Sequence, residues 1–458
     1  MGLARRNLGI MNTQHMIDRR DWLKLLGVGT LGGVSAALAT SKTLAAEPDL
    51  QRGSAPLKIT RVKAIPTCPQ RTRLVVVKVE TSEPGLYGLG CATFNQRPLA
   101  VISAVNEYLD PFTRGRDADN IEDLWQTAYT SSYWRNGPVL NNALSGLDMA
   151  LWDIKGKRAG LPVYQLLGGK CRFAVDCYGH ASGRDLDQLE ESVQRLVDRG
   201  YRHIRIQLGG YGSPHLSEAA DFRTEGFGKP GDELMQPEPY VRATEAMFER
   251  IRGKFGPKLE FLHDIHERIH PLDALRLLKA VEPYRPFFIE DPVAPEDIGY
   301  FKLFRQQTTV PLAMGELFNN PHEWVGLITD RLIDFIRVHL SQIGGLTPAR
   351  KLAILAEWFN VRTAWHGPMD VSPVGHAANA HLDLASSNFG IQESVNFNQA
   401  MQDVFPGAPT MKNGYMWVNE APGLGVDIDE DLAARFPFPE HPGYWEPVRR
   451  RDGTSVRP

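Results

Sequence analysis

Cysteine is scarce in this sequence, which contains only four such residues: Cys68, Cys91, Cys171 and Cys177. No two of them have the CxxC spacing, and they are too few and too scattered to form a disulfide framework. We therefore expect isolated thiols in the interior. A surplus of basic residues is also lacking, because 51 lysines and arginines stand against 54 acidic residues. Without a basic cluster, no nucleic-acid partner is indicated.

Long uncharged apolar stretches are also lacking after residue 46, so we expect no membrane span in the mature chain. One such stretch, LLGVGTLGGVSAALAT, lies near the N-terminus behind the pair Arg19 and Arg20. A charged segment, an apolar segment and a small-residue cleavage site at Ala45 or Ala46 are typical of a signal peptide. The arginine pair indicates twin-arginine export of residues 1–46 and a periplasmic location, with an ordinary secretory signal as the alternative.

The mature chain begins with strands and continues with helices. Residues 57–94 alternate in the manner of strands, and residues 98–170 carry apolar side chains at helical spacing. From residue 171 short apolar strands alternate with helices, which predicts an α/β fold with a (β/α)₈ barrel over 171–394. The predicted strands are 174–180, 201–210, 259–266, 286–291, 311–316, 334–340, 361–367 and 389–394. The segment 395–458 is expected to pack back on the α+β unit 57–170.

Acidic residues follow three consecutive predicted strands at one fixed interval. Asp264, Glu290 and Glu316 are each 26 residues apart. One β/α unit takes roughly 25–30 residues, so this interval moves one strand around the ring, and active sites lie at this end of barrel strands. Three converging carboxylates repel one another unless a cation lies between them. All-oxygen ligands predict Mg²⁺, with Mn²⁺ as a weaker alternative.

An alternative interpretation is that these three acids are unrelated caps of helix N-termini. Basic residues at other strand ends favour the metal site. His266 lies two residues after Asp264 and so shares its face of the strand. Arg205 ends the second strand and His366 ends the seventh. Two histidines and an arginine beside a predicted metal site indicate a catalytic centre.

Twelve motifs occur in a specific order over residues 57–450. They are CATFN, SSYWRNGPV, GLDMALWDIKGKRAGLPVYQLLGG, CYGHASG, HIRIQ, LHDIH, FFIEDP, MGELFN, IRVHLSQIGGL, WHGPMDVSP, NFGIQE and PGLGVDIDEDLA. In this order they resemble the enolase superfamily and, within it, the mannonate dehydratase group. The resemblance implies a modified (β/α)₈ barrel, a capping domain formed by the N- and C-terminal segments, and Mg²⁺ bound by Asp264, Glu290 and Glu316.

The resemblance also implies roles for individual residues. His266 matches the acid that protonates the leaving hydroxyl. Arg205 matches the arginine of a Tyr–Arg pair that removes the α-proton, and Tyr211 is the candidate tyrosine, with His366 as the next candidate base. The remaining positions that match the substrate site, besides His366, are Asn95, His180, Arg337, Asp370 and Glu393.

The predicted function is Mg²⁺-dependent dehydration of a sugar acid, with D-mannonate preferred, through a metal-stabilised enediolate to a 2-keto-3-deoxy acid. A second hypothesis replaces the substrate with D-gluconate or another aldonate or uronate. A third is an exported sugar-acid-binding protein with little turnover, favoured by Pro368 after the His-Gly pair and by the absence of tryptophan in the C-terminal RDGTSVRP. In each case the partner is a small-molecule sugar acid, and a homo-oligomer is expected.

Overall fold

The first part of the fold is a three-stranded antiparallel sheet. The computed structural model describes residues 56–209, 233–440, 448–450 and 452–457, so the predicted signal peptide and Tyr211 lie outside the described residues. The strands are β1 (Ile59–Thr67), β2 (Leu74–Thr81) and β3 (Tyr87–Cys91), paired in that order. Successive side chains of a strand point to opposite faces of the sheet, so those of β2 alternate between two hydrophobic cores. Val75 and Val77 pack in the capping domain, whereas Leu74 and Val76 pack against the barrel.

Helices cover one face of this sheet. They are α1 (Pro98–Ser103), α2 (Asp110–Thr113), α3 (Ile121–Thr130), α4 (Pro138–Ala159) and α5 (Val163–Leu166), with a π-helical segment at Ala104–Leu109 between α1 and α2. Helix α4 ends at Gly160, whose φ of 67° is the left-handed conformation that glycine adopts at helix ends. The sequence predicts this end from the same glycine and from the proline that follows.

Glycine allows α4 to lie directly on β3. A Cβ atom at Gly90 would lie 2.0 Å from the carbonyl oxygen of Gly146 in α4. We expect Gly90→Ala to destabilise the protein by about 3 kcal/mol or more, because backbone would have to move against backbone. Gly253→Ala is the matched control, since a Cβ there meets nothing within 4 Å and helix interiors favour alanine. Urea unfolding measures both, and equal midpoints for Gly90→Ala and wild type would contradict the close approach.

Eight parallel strands form the barrel. The strands of this region, in chain order, are β4 (Val175–Gly183), β5 (His203–Leu208), β6 (Glu233–Leu234), β7 (Glu260–Asp264), β8 (Phe288–Glu290), β9 (Leu312–Met314), β10 (Phe335–Ile336), β11 (Arg362–Thr363) and β12 (Gln392–Glu393). All except β6 belong to the ring, which closes because β12 pairs with β4 and Thr363 bridges to Phe389. Each ring strand overlaps one predicted strand, which confirms the predicted α/β barrel fold.

Helices surround the ring. They are α6 (Leu186–Asp198), α7 (Pro237–Phe255), α8 (Pro271–Val281), α9 (Phe301–Gln307), α10 (Pro321–Thr329), α11 (Leu346–Trp358) and α12 (Pro373–Ala385). Short 3₁₀ turns lie at Gly256–Lys258, Glu282–Tyr284 and Pro295–Tyr300. No helix among the residues that the structure describes is long and apolar enough to cross a membrane.

An apolar layer inside the barrel forms the floor of the site. It consists of Tyr178, Leu262, Phe288, Ala313, Phe335, Ala364 and Ile391. Side chains two residues apart share a face of a strand, so the residue two positions further on also points inward. Those following residues are polar at six strands: His180, Asp264, Glu290, Arg337, His366 and Glu393. The barrel therefore presents a charged layer directly above an apolar one.

The C-terminal segment contacts both parts of the protein. Its elements are α13 (Gln399–Val404), β13 (Thr410–Lys412), β14 (Tyr415–Trp417), α14 (Glu430–Ala433), β15 (Val448–Arg449) and β16 (Ser455–Val456). Glu430 of α14 pairs with Lys63 at 2.6 Å and with Lys78 at 2.7 Å, two residues of the first sheet. The sequence did not predict two other contacts: β14 pairs with barrel strand β4, and β15 pairs with β6.

Candidate active site

A cavity of about 770 Å³ lies between the capping domain and the carboxyl ends of the barrel strands. The capping domain contributes the loop after β3, including Asn95 and Arg97. The barrel contributes predicted site residues from several strands: His180, Arg205, His266, Glu316, His366, Asp370 and Glu393. Most residues that the sequence predicts for the site therefore line one cavity.

The three predicted metal ligands come together below this cavity. Asp264 and Glu290 are paired neighbours in the parallel ladder, and Glu316 follows the next strand. Single ligand atoms of Asp264, His266 and Glu316 lie within 4.8 Å of one another, and so do those of Glu290, Asp291 and Glu316. Oε2 of the fully buried Glu290 has no hydrogen-bond partner among the described residues. An unpaired carboxylate oxygen among other carboxylates fits a hard cation such as Mg²⁺.

Each of these carboxylates pairs with at least one cationic side chain. Asp264 Oδ2 lies 2.9 Å from Arg205 Nη1, and Glu316 Oε2 lies 3.0 Å from His366 Nε2. Glu290 forms an ion pair with Nε of Arg337. The three cations offset part of the repulsion among the acids, which explains how the acids remain close in the folded chain.

The pKa values of the three carboxyl groups differ in direction. Burial tends to raise the pKa of Asp264, but His266 and Arg205 reverse this and lower it below its usual range. Burial likewise opposes the effect of His366 on Glu316, and the pKa of Glu316 is lowered. For Glu290 burial prevails and raises the pKa well above its usual value. A divalent cation would favour the charged form at Glu290, where burial disfavours it most.

His266 is held firmly beside the predicted metal site. Its Nε2 lies 2.8 Å from Asp264 Oδ2, and its backbone N–H donates to Asp264 Oδ1 at 2.9 Å. The φ angle of His266 is 52°, and Glu267 has the same value, both in the left-handed region that residues other than glycine seldom adopt. Such strained residues cluster at functional sites. The buried His263, one residue before Asp264, instead contacts Tyr240 Oη at 2.7 Å in the helix layer.

Glu393 connects the remaining predicted residues. Its Oε1 lies 2.8 Å from His180 Nε2, while Oε2 lies 2.9 Å from Arg337 Nη2 and accepts the Gly367 N–H at 2.9 Å. Burial opposes ionisation of Glu393, yet Arg337 and His180 hold its pKa well below the usual range. Burial together with Arg205 lowers the pKa of His180.

Arg337 occupies a different position from the one its predicted role suggests. It is fully buried, and its guanidinium contacts Glu290, Glu393 and the Ala364 carbonyl oxygen. We therefore interpret Arg337 as a residue that positions the carboxylates from below. Asn95 lines the cavity, but its Oδ1 also accepts the backbone N–H of Arg73 at 3.1 Å, which fixes the capping loop.

The sequence argument missed several residues of the cavity, among them Asp291, Glu267 and His339. Asp291 follows Glu290 directly, has a φ of 39° and accepts the Gly315 N–H at 3.1 Å, so it orients the turn that leads to Glu316. Glu267 lines the cavity, and burial raises its pKa to about 7. His339 also lines the cavity. A signal was available for His339, which lies two positions after the inward-pointing Arg337.

Known proteins resemble this chain over nearly all of its described length. The family model "Enolase C-terminal domain-like" matches residues 188–432. The model "Mandelate racemase / muconate lactonizing enzyme, N-terminal domain" matches residues 50–168. The D-galactonate dehydratase family member RspA of Pantoea ananatis is 53% identical over 415 residues, which cover 88% of this chain and 99% of the relative. A D-galactonate dehydratase family member of Musicola paradisiaca is 51% identical with the same coverage.

A solved structure is similar over the same range. The crystal structure of an enolase from Pantoea ananatis with bound D-gluconate and Mg has a TM-score of 0.82 and 52% sequence identity to this chain. The match covers 88% of this chain and 100% of the crystallised chain. Magnesium, the ion in that structure, is the type of ion that suits the carboxylate oxygens converging below the cavity of this chain.

Proposed function

Because the chain belongs to the enolase superfamily, and within it to the D-galactonate dehydratase family, we propose that its substrate is a six-carbon aldonate, with D-gluconate as the leading candidate. The protein is a sugar-acid dehydratase, a hydro-lyase that uses Mg²⁺. The observation that supports D-gluconate is its presence with magnesium in the relative of 52% identity. The D-mannonate preference and the expected homo-oligomer remain predictions, and sedimentation equilibrium would test the latter.

The chain's own residues suit the two proton transfers of a dehydration. Mg²⁺ bound at Asp264, Glu290 and Glu316 would stabilise the negative charge that develops when the α-proton leaves. His266 lines the cavity beside these carboxylates, where it is placed to protonate the departing hydroxyl. Arg205 is fixed at the end of β5 by Asp264, so its charge is available to a base from the following loop.

His366 supports a second stereochemical possibility. D-mannonate and D-gluconate differ only at C2, so with the carboxylate held in one place they present the α-proton to opposite faces. Arg205 lies within β5 and His366 follows β11, on different sides of the ring. Burial opposes protonation of His366, but pairing with Glu316 outweighs burial and raises the pKa of His366 to about 9. A site with candidate bases on both sides could accept either epimer, so D-mannonate is retained as the second candidate.

A substrate screen tests the proposal. Purified protein with Mg²⁺ is incubated with D-gluconate, D-mannonate and D-galactonate separately, and 2-keto-3-deoxy product is measured. Both C2 epimers give the same product on dehydration, so each must be supplied alone. Product from D-gluconate is expected. Product only from another aldonate would refute the choice of substrate while leaving the dehydratase class intact, and binding without product would favour the sugar-acid-binding hypothesis.

We also propose that residues 1–46 direct export to the periplasm by the twin-arginine route. The family match begins at residue 50, so this segment precedes it. Changing Arg19 and Arg20 to lysine should leave precursor in the cytoplasm, as fractionation and immunoblotting would show. Arg5 and Arg6 form a second arginine pair outside the motif, so changing both to lysine is the matched control. Normal periplasmic levels of the Arg19/Arg20 variant would indicate an ordinary secretory signal instead.

A further inference from the structure

A second group of metal-ligating side chains lies on the wall of the cavity. It consists of His339, His366 and Asp370, each of which offers one ligand atom within 4.8 Å of the other two. His339 lies three residues after the end of the sixth ring strand, β10, and His366 lies three residues after the end of the seventh, β11. Asp370 lies in the loop that leads to α12. The imidazole rings of His339 and His366 have centroids 5.3 Å apart.

Buried atoms of all three side chains lack partners. Both ring nitrogens of His339, Nδ1 of His366 and Oδ1 of Asp370 have no hydrogen bond to any described residue. His339 is only 2% exposed. Buried polar atoms are nearly always paired, because an unpaired one costs about 1–3 kcal/mol. Four such atoms at one wall point to a ligand that is not a protein group.

The chemistry of these atoms favours a particular class of ion. Imidazole nitrogens suit Zn²⁺, Co²⁺ and Ni²⁺, whereas Mg²⁺ prefers oxygen. Burial lowers the pKa of His339 well below its usual value, with a further contribution from His366, so the ring is neutral and can ligate. The other nitrogen of His366, Nε2, lies 3.0 Å from Glu316, and an ion at Nδ1 would displace the second proton that this pairing otherwise retains. Metal-bound histidines usually direct their second nitrogen to a carboxylate in this way.

We propose that His339, His366 and Asp370 form a second divalent-metal site, selective for Zn²⁺, Co²⁺ or Ni²⁺ and separate from the Mg²⁺ site. Two histidines and one carboxylate leave further coordination positions open toward the cavity. An ion bound there occupies His366 and Asp370, both predicted to contact the sugar acid, and so blocks turnover. Trace Zn²⁺ is therefore an inhibitor that excess Mg²⁺ does not relieve. The site's existence does not depend on the identity of the sugar acid.

Counting bound cobalt tests the site without using activity. Co²⁺ also occupies the carboxylate site, because it binds such ligands more tightly than Mg²⁺ does. Equilibrium dialysis of the purified protein against Co²⁺ should therefore give two ions per chain for the wild type and one for His339→Gln. The visible absorption spectrum should lose the bands of nitrogen-bound Co²⁺ in that variant alone. His322→Gln, which removes an exposed histidine on α10, is the matched control and should retain both ions.

Two results would overturn the proposal. One is a wild type that binds a single Co²⁺, which needs no variant to interpret. The other is a folded His339→Gln protein with the same stoichiometry and spectrum as the wild type. Circular dichroism checks that this variant folds, and Asp370→Asn replaces it if it does not. Because the readout is ion binding, failure of the proposed substrate would leave this result unchanged.

Discussion

Glu290→Gln is expected to lower turnover of the sugar acid by about 10³-fold or more and to remove most of the thermal stabilisation that Mg²⁺ gives the wild type. A bound metal contributes several kcal/mol of transition-state charge stabilisation, and each 1.36 kcal/mol is about tenfold in rate. Stabilisation by Mg²⁺ follows from binding to the folded state, so a weaker site gives a smaller shift in Tm.

The surroundings of Glu290 make this substitution informative. The side chain is fully buried and glutamine has nearly the same shape, so packing is preserved. One carboxylate oxygen pairs with Arg337, while the other lacks a partner among the described residues and is the atom offered to the metal. Glutamine carries no negative charge, so neither side of the former carboxylate remains anionic. The variant therefore also weakens the ion pair with Arg337, and this effect needs a control.

Glu393→Gln is that control. Glu393 is buried, and its Oε2 lies 2.9 Å from Arg337 Nη2, but it is not among the predicted metal ligands. If loss of an Arg337 ion pair were responsible, both variants would lose the thermal shift with Mg²⁺. We expect Glu393→Gln to keep that shift, as differential scanning fluorimetry with and without Mg²⁺ would show. Normal turnover and a normal Mg²⁺ shift in Glu290→Gln would refute the assignment of the metal site.

The convergence of the three acids could be predicted because the information for it is local. Each acid directly follows an apolar strand, and the constant interval of 26 residues encodes adjacent strands of a ring. Side chains two residues apart share a face, so His266 is expected on the face of Asp264, and in the structure it contacts that carboxylate while His263 contacts Tyr240 in the helix layer. No knowledge of how distant strands meet was needed for these predictions.

The cluster around Glu393 required information that local patterns lack. His180 and Glu393 are far apart in sequence, and they meet because β12 pairs with β4 and closes the barrel. The resemblance supplied both residues but not their contact. The burial of Arg337 between two carboxylates depends on the same closure. The pairing of β15 with β6 involves strands of only two residues, whose hydrogen bonds form no recognisable pattern in the sequence.

His266→Asn is expected to lower dehydration by about 10²–10⁴-fold, the usual contribution of a general acid, while leaving some exchange of the α-proton with solvent. Asparagine suits this test because it tolerates the left-handed backbone conformation that His266 adopts at a φ of 52°. Asparagine also keeps the backbone N–H that donates to Asp264 Oδ1, so the local turn is preserved. It has no proton to transfer near neutral pH, and only the departure of the hydroxyl should fail.

Tyr211→Phe is the companion variant, because it removes the candidate base instead of the acid. A phenol with a pKa near 10 is a poor base at neutral pH, and an arginine beside it, the role that the resemblance assigns to Arg205, would lower that pKa toward a useful range. Loss of the phenol should abolish both exchange and dehydration, whereas His266→Asn should retain exchange. Proton NMR in D₂O follows loss of the α-proton signal, and chromatography of the 2-keto-3-deoxy acid follows dehydration. Dehydration by His266→Asn within about tenfold of wild type would place the acid elsewhere, and normal exchange in Tyr211→Phe would make His366 the next candidate base.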